Sequence, residues 1–181
     1  MLVAKQVADI ITFSRGILAF MLAGLGLLVG KEALPMAAGV MIADWCGDML
    51  DGPIARRSRV SYHTWIGDHD LEVDMTVSVG LLIFMLGAGY VSWWVGAIYL
   101  LGWAIFFLRF GFTSAPGMLF QAPTYLWFIL VTLRDARGLG MLIILLILTA
   151  VIITWPRFPR VVVPGFLGGM RRAFGPLRKG K

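Results

Sequence analysis

One cysteine and two histidines are all that this 181-residue chain holds of the side chains that usually build zinc sites. Cys46 alone excludes an internal disulfide and any site made from several cysteines. A small buried side chain is the expected role for it. Charge is scarce as well: 14% of residues are charged, against about 25% in an average soluble domain. From Met75 to Leu108 there is no charged residue at all. No internal repeat, low-complexity tract or soluble domain stands out. A cleaved leader is not expected, because Asp9 and Arg15 interrupt the first apolar run and no small-residue cleavage site follows.

What fills the chain instead is apolar. Hydrophobic residues make up 59% and the mean hydropathy is +0.85, an excess that needs lipid to cover it. The length allows one domain. A hydrocarbon core about 30 Å thick takes about 20 helical residues, and the pattern predicts an all-α integral membrane fold of six spans. These run from about Ile10 to Val29, from Ala33 past Met41, from Asp70 to Gly87, from Val91 to Leu108, from Phe112 to Leu133 and from Gly138 to Trp155. Gly87-Ala88-Gly89 breaks the long charge-free stretch into a hairpin. Pro116 and Pro123 predict a kink or an irregular start in the fifth span. Residues 1–156 then form the membrane domain and 157–181 a basic tail.

Positive charge sets the orientation. With the N-terminus in the cytoplasm, the inner side carries Lys5, Arg15, Arg56, Arg57, Arg59, Arg109 and the seven basic residues of the tail. Only Lys31, Arg134 and Arg137 remain outside. Both termini and the acidic segment between Asp44 and Asp74 are then cytoplasmic. The tail interleaves Arg and Lys with Phe, Leu and Val. It reads as a segment lying on anionic lipid, each basic residue contributing about 1 kcal/mol near the surface, and no nucleic-acid partner is expected.

Seven of the ten acidic residues fall between Asp44 and Asp74. Residues three, four and seven apart share a helix face, so Asp44, Asp48 and Asp51 form one stripe. Asp70 and Asp74 form another, with Asp68 and Glu72 pointing elsewhere. A short connection, 57–67, predicts that the two helices are antiparallel neighbours. Like charges brought together repel, and several would protonate unless a cation lies between them. Hard divalent cations prefer such oxygen ligands, and two of them would clamp a diphosphate. Gly52 lets a ligand approach the backbone. Arg56 suits phosphate. The plainer alternative is a solvated membrane-edge face paired with Arg56, Arg57 and Arg59.

The string Asp48-x-x-Asp51-Gly52-x-x-Ala55-Arg56, followed by Asp70-x-x-x-Asp74, resembles the signature of the CDP-alcohol phosphotransferase family. That family's motif has a glycine four residues before the first of the last two aspartates. Ile66 stands there in this chain, and Gly67 comes one residue late. A one-residue insertion in the loop preserves both aspartates, whereas strict spacing would put Trp65, His69 and Val73 in the three slots. Upstream, Asp9-x-x-Thr12-x-x-Arg15 looks like the family's Asn-x-x-Thr-x-x-Arg opening of the first helix.

The resemblance implies six transmembrane helices, a homodimer and transfer from a CDP-linked lipid such as CDP-diacylglycerol to an alcohol acceptor, with release of CMP. It implies one or two Mg²⁺ or Mn²⁺ ions held by Asp48, Asp51 and Asp70, with Asp74 a ligand or the general base. Gly52, Ala55, Arg56 and Asp44 would hold the nucleotide, with the diphosphate passing Gly67. Arg109 would hold an acceptor phosphate or snorkel to the interface. His63 and His69 read as solvated side chains or as ligands. Two other functions compete: a metal- and nucleotide-binding relative with impaired turnover, and a small cation transporter. Against the transporter, the carboxylates sit at helix ends rather than at mid-membrane.

Overall fold

The computed structural model describes residues 4–56 and 69–174, with the side chains of 6–50 and 69–174. It is helical throughout, with no strand among the described residues. Six long helices occupy the predicted positions: α1 (Ala4–Leu28), α2 (Leu34–Arg56), α3 (Asp70–Gly87), α4 (Trp93–Phe110), α5 (Ser114–Asp135) and α6 (Arg137–Ile153). A 3₁₀ turn at Gly30–Ala33 links the first two. The α3–α4 hairpin breaks where the glycines predict, with Gly89 at φ 71°, a conformation that costs glycine little.

Three helices are long and apolar enough to cross a bilayer: Gln6–Leu28, Trp93–Phe110 and Ser114–Asp135. Arg137–Ile153 and Phe158–Phe174, bent by 80° at their junction, make a fourth if taken as one span. The other two helices carry the acidic stripes. Asp44, Asp48 and Asp51 lie in α2, and Asp70, Glu72 and Asp74 lie in α3. Three acidic residues in each are what dilute the apolar character of these helices.

α5 is continuous from Ser114 to Asp135. Pro116 falls in its first turn, where a backbone N–H has no helical partner to lose, and Pro123 is carried inside the helix.

The core lies between α1, α2 and α3, closed by α5 and α6. Leu22, Met41, Leu81, Phe84, Phe128 and Ile143 are fully buried there. One expectation is corrected. α2 and α3 are not packed neighbours among the described residues; α1 lies between them and packs against both. Glycine is the reason. A Cβ on Gly80 would clash with the Ala19 main chain, one on Gly26 with the Phe84 main chain, and one on Gly87 with the Gly26 main chain. Small residues let helix backbones approach in this way, and close packing replaces the hydrophobic drive that lipid removes.

α4 stands further off. It meets α5 through aromatic rings, Tyr99 stacking on Phe120 at 5.6 Å and Trp103 meeting the same ring at 5.8 Å. Its outer face leaves Trp94, Ile98, Leu101 and Leu108 exposed, as expected of a face that meets lipid.

The tail is not a plain extension. After a π turn at Phe158–Val162 it forms α7 (Val163–Phe174), which folds back on the start of α5. There Gly169 approaches Ala115 so closely that a Cβ would clash.

Candidate active site

The carboxylates of α2 and α3 converge, and the side chain that brings them together comes from α1. Arg15 is 3% exposed. Its Nε donates to Asp44 Oδ1 at 2.9 Å and its Nη2 to Asp74 Oδ1 at 2.5 Å. Its Nη1 lies 3.0 Å from Asp48 Oδ1 and 3.8 Å from Asp70 Oδ1. A guanidinium is planar, permanently charged and rich in donors, so it can serve several carboxylates at once. Gly47 makes room for it: a Cβ there would stand 3.3 Å from both Arg15 Cδ and Ile11 Cγ2.

The four carboxylates differ in depth. Asp44 is completely buried, and a buried charge of this kind needs a partner, which Arg15 supplies. The Asp74 side chain is 25% exposed, while those of Asp48 and Asp70 are 49% and 48% exposed. Asp44 and Asp74 therefore form a floor, and Asp48 and Asp70 a mouth through which a ligand can reach the cluster. Among the described residues, Arg15 is a cation that all four carboxylates share.

Sequence reasoning underrated Arg15. The only signal was the Asp9-x-x-Thr12-x-x-Arg15 string, three positions on one face of α1. Thr12 proves buried beside it in sequence, at 5% exposure. Gly47 went unnoticed because it lies outside the signature.

Other expected site residues lie apart or beyond description. The side chains of Asp51, Gly52, Ala55 and Arg56, at the end of α2, lie outside the described residues, as do His63, Ile66, Gly67 and Asp68. The shifted glycine therefore stays an expectation. His69 precedes the first residue of α3. Arg109 does not join the carboxylates; it is exposed at the end of α4, against the ring of Phe110 at 5.3 Å.

A model of the CDP-alcohol phosphatidyltransferase family matches residues 5–163, from α1 through the π turn. The chain belongs to that family. No curated protein and no solved structure matches it. Membership in the CDP-alcohol phosphatidyltransferase family makes it a transferase of the membrane that uses CDP-alcohol substrates and an alcohol acceptor.

The family is generally dependent on divalent cations, and the residues present fit that requirement by donor chemistry. Carboxylate oxygens are the ligands that hard divalent cations prefer, and those of Asp48, Asp70 and Asp74 already share one cationic centre. Their present spacing is set by Arg15. Among the described residues, no three Asp, Glu, His or Cys side chains are disposed to hold a metal ion.

Proposed function

We propose that this chain moves a phosphatidyl or related lipid phosphoryl group from a CDP-linked lipid to an alcohol, releasing CMP. The observation that carries this reading is the meeting of Asp48, Asp70 and Asp74 around one buried cation, open to solvent at Asp48 and Asp70. A diphosphate needs positive charge at such a place, and a transferring hydroxyl needs a base.

In this reading the acceptor hydroxyl passes its proton to Asp74, and its oxygen attacks the lipid-linked phosphorus. The bond between that phosphorus and the bridging oxygen of the diphosphate breaks, and CMP leaves with the electron pair. Asp48, Asp51 and Asp70, with Asp74 a further ligand or the base, would hold one or two Mg²⁺ or Mn²⁺ ions, whose charge would offset that of the diphosphate. Arg56 binds phosphate; Gly52, Ala55 and Gly67 let the nucleotide approach the main chain; Asp44 fixes Arg15 beneath it. Arg109 meets the acceptor. Six spans place the site on the cytoplasmic side, where the basic residues concentrate, and the exposed apolar face of α4 meets lipid or a second copy of the chain.

The test is CMP release from CDP-diacylglycerol by the purified chain in nanodiscs with Mg²⁺. Glycerol phosphate, serine, inositol and inositol phosphate are offered in turn. Release with one alcohol and not with the others supports the reading and names the acceptor. Cytidine nucleotide binding without release by any acceptor would replace it with the impaired relative. Neither binding nor release would overturn both.

A further inference from the structure

α7 lies almost wholly beyond the region shared with the family, and the transferase reading gives it no task. Its direction is set at the end of α6. The 80° bend between Arg137–Ile153 and Phe158–Phe174 means that, with α6 crossing the bilayer, α7 runs along its surface. Trp155 stands at the bend and is 64% exposed; tryptophan is enriched at the headgroup level.

The surface of this segment has two characters. Val163, Leu167 and Phe174 follow at intervals of four and seven residues, which places them on one helix face, and all three are exposed. Phe166, Gly169 and Ala173, at intervals of three and four, make the neighbouring face and are half-buried. Around the exposed stripe stand Arg157, Arg160 and Arg171, all exposed. None of them pairs with a carboxylate among the described residues, and no Asp or Glu follows Asp135 in the chain. An apolar stripe flanked by arginines, on a helix lying along the bilayer, suits an interfacial helix with its apolar side in the acyl boundary. Anionic headgroups are the partner of matching charge. A two-fold contact with a second copy would instead set these arginines against their own kind.

The segment also reaches toward the carboxylates. A Cβ on Gly169 would stand 2.6 Å from the Ala115 Cβ, and one on Gly117, two residues further along α5, 2.7 Å from Leu71 Cδ1. Leu71 follows Asp70. Two close contacts thus join α7 to the first turn of α3, with the start of α5 between them. We infer that Arg157, Arg160, Arg171 and the Val163–Leu167–Phe174 stripe bind the anionic headgroup layer of the bilayer, and that this hold steadies the first turns of α5 and α3, so that the site responds to membrane charge. The surface contact is independent of the transferase reading; its effect on turnover rests on that reading.

The experiment measures backbone hydrogen exchange of the full chain in nanodiscs of phosphatidylcholine alone, and of phosphatidylcholine mixed with phosphatidylglycerol or with phosphatidylserine. Either anionic lipid should slow exchange across 163–174 by about tenfold or more, since one basic residue near an anionic surface is worth about fivefold. The first turns of α5 and α3 should slow with it. Arg157→Gln, Arg160→Gln and Arg171→Gln together should remove most of the difference, and Arg134→Gln with Arg137→Gln should leave it unchanged. Should the triple variant lose helicity by circular dichroism, high salt on the wild type is the second measurement: screening should cancel the effect.

Equal exchange in neutral and anionic nanodiscs would overturn the proposal, as would a response to one anionic lipid only or a difference that survives both the triple variant and high salt. Slowing that follows the number of chains per nanodisc instead of lipid charge would assign the face to a second copy and overturn it too. CMP release is then compared in the same nanodiscs. It should be faster in the anionic ones, and the triple variant should lose that gain while keeping the neutral-membrane rate. Slowed exchange with equal release would keep the surface contact and refute its coupling to Asp70. Absence of release in every nanodisc would refute the transferase reading, and the exchange result would still decide the surface contact.

Discussion

Arg15 and Arg109 occupy two sites near the same end of the bundle, and their surroundings are opposite. Arg15 is 3% exposed and shared among four carboxylates. Arg109 is exposed at a helix end, with an aromatic ring beside it and a cavity in front. The first is held by the protein and serves its internal charge. The second has its charge available for something that arrives. Net charge alone would have counted the two alike; what separates their roles is whether the counter-ion is already built in.

The largest effect that can break this contrast lies at the carboxylates. Asp→Asn at 48, 51, 70 or 74 should each lower CMP release by about a hundredfold or more, the scale at which a metal clamp or a general base acts. The thermal midpoint should show the protein still folded. Excess chelator should do the same to the wild type, and Mg²⁺ or Mn²⁺ should restore it. Full activity in Asp51→Asn, or in chelator, would refute the metal reading.

Arg15→Gln comes next. Losing one partner of a buried pair leaves Asp44 uncompensated and should cost about 3–5 kcal/mol of stability. Added Mn²⁺ should raise the unfolding midpoint more in this variant than in the wild type, because the ion meets carboxylates with no internal cation. A double-mutant cycle with Asp44→Asn should recover a large part of the loss. An unchanged midpoint in Arg15→Gln would mean that the buried contact does not hold the helices.

A smaller effect tests the packing that carries Arg15 to its partners. Gly80→Ala places a methyl group against the Ala19 main chain and should destabilise by about 1–3 kcal/mol, as overpacking does. At the bottom of the scale, Arg109→Gln should change stability by less than about 0.5 kcal/mol, as surface substitutions usually do. That result would sharpen the contrast with Arg15; a loss as large as that of Arg15→Gln would erase it.

The helices were legible because their signal is local. The apolar runs, the Gly87-Ala88-Gly89 break and the aspartates three and four apart can each be read within a few turns of chain. Arg15 was not legible in that way. Its partners Asp44 and Asp74 are 29 and 59 residues distant, and no local pattern ranks one arginine's reach above another's. The same holds for α1 lying between α2 and α3. The short 57–67 connection favoured direct pairing, while the glycines that decide otherwise are scattered through α1 and α3. α7 was hidden for a different reason: Pro164 and three glycines at 165, 168 and 169 argue against a helix, and packing on α5 overrides that preference.

The main-chain contact of α1 with α3 has a mechanical meaning. With Gly26 on Phe84 and Gly80 on Ala19, main chain meets main chain at two levels of the contact, which leaves the helices little room to slide. A bilayer that is too thick or too thin makes a helix tilt, and these two must tilt as one body. Arg15 and Asp74 ride on that body together. A change in membrane thickness therefore alters the depth at which their end of the bundle meets the headgroups and leaves the spacing between them intact.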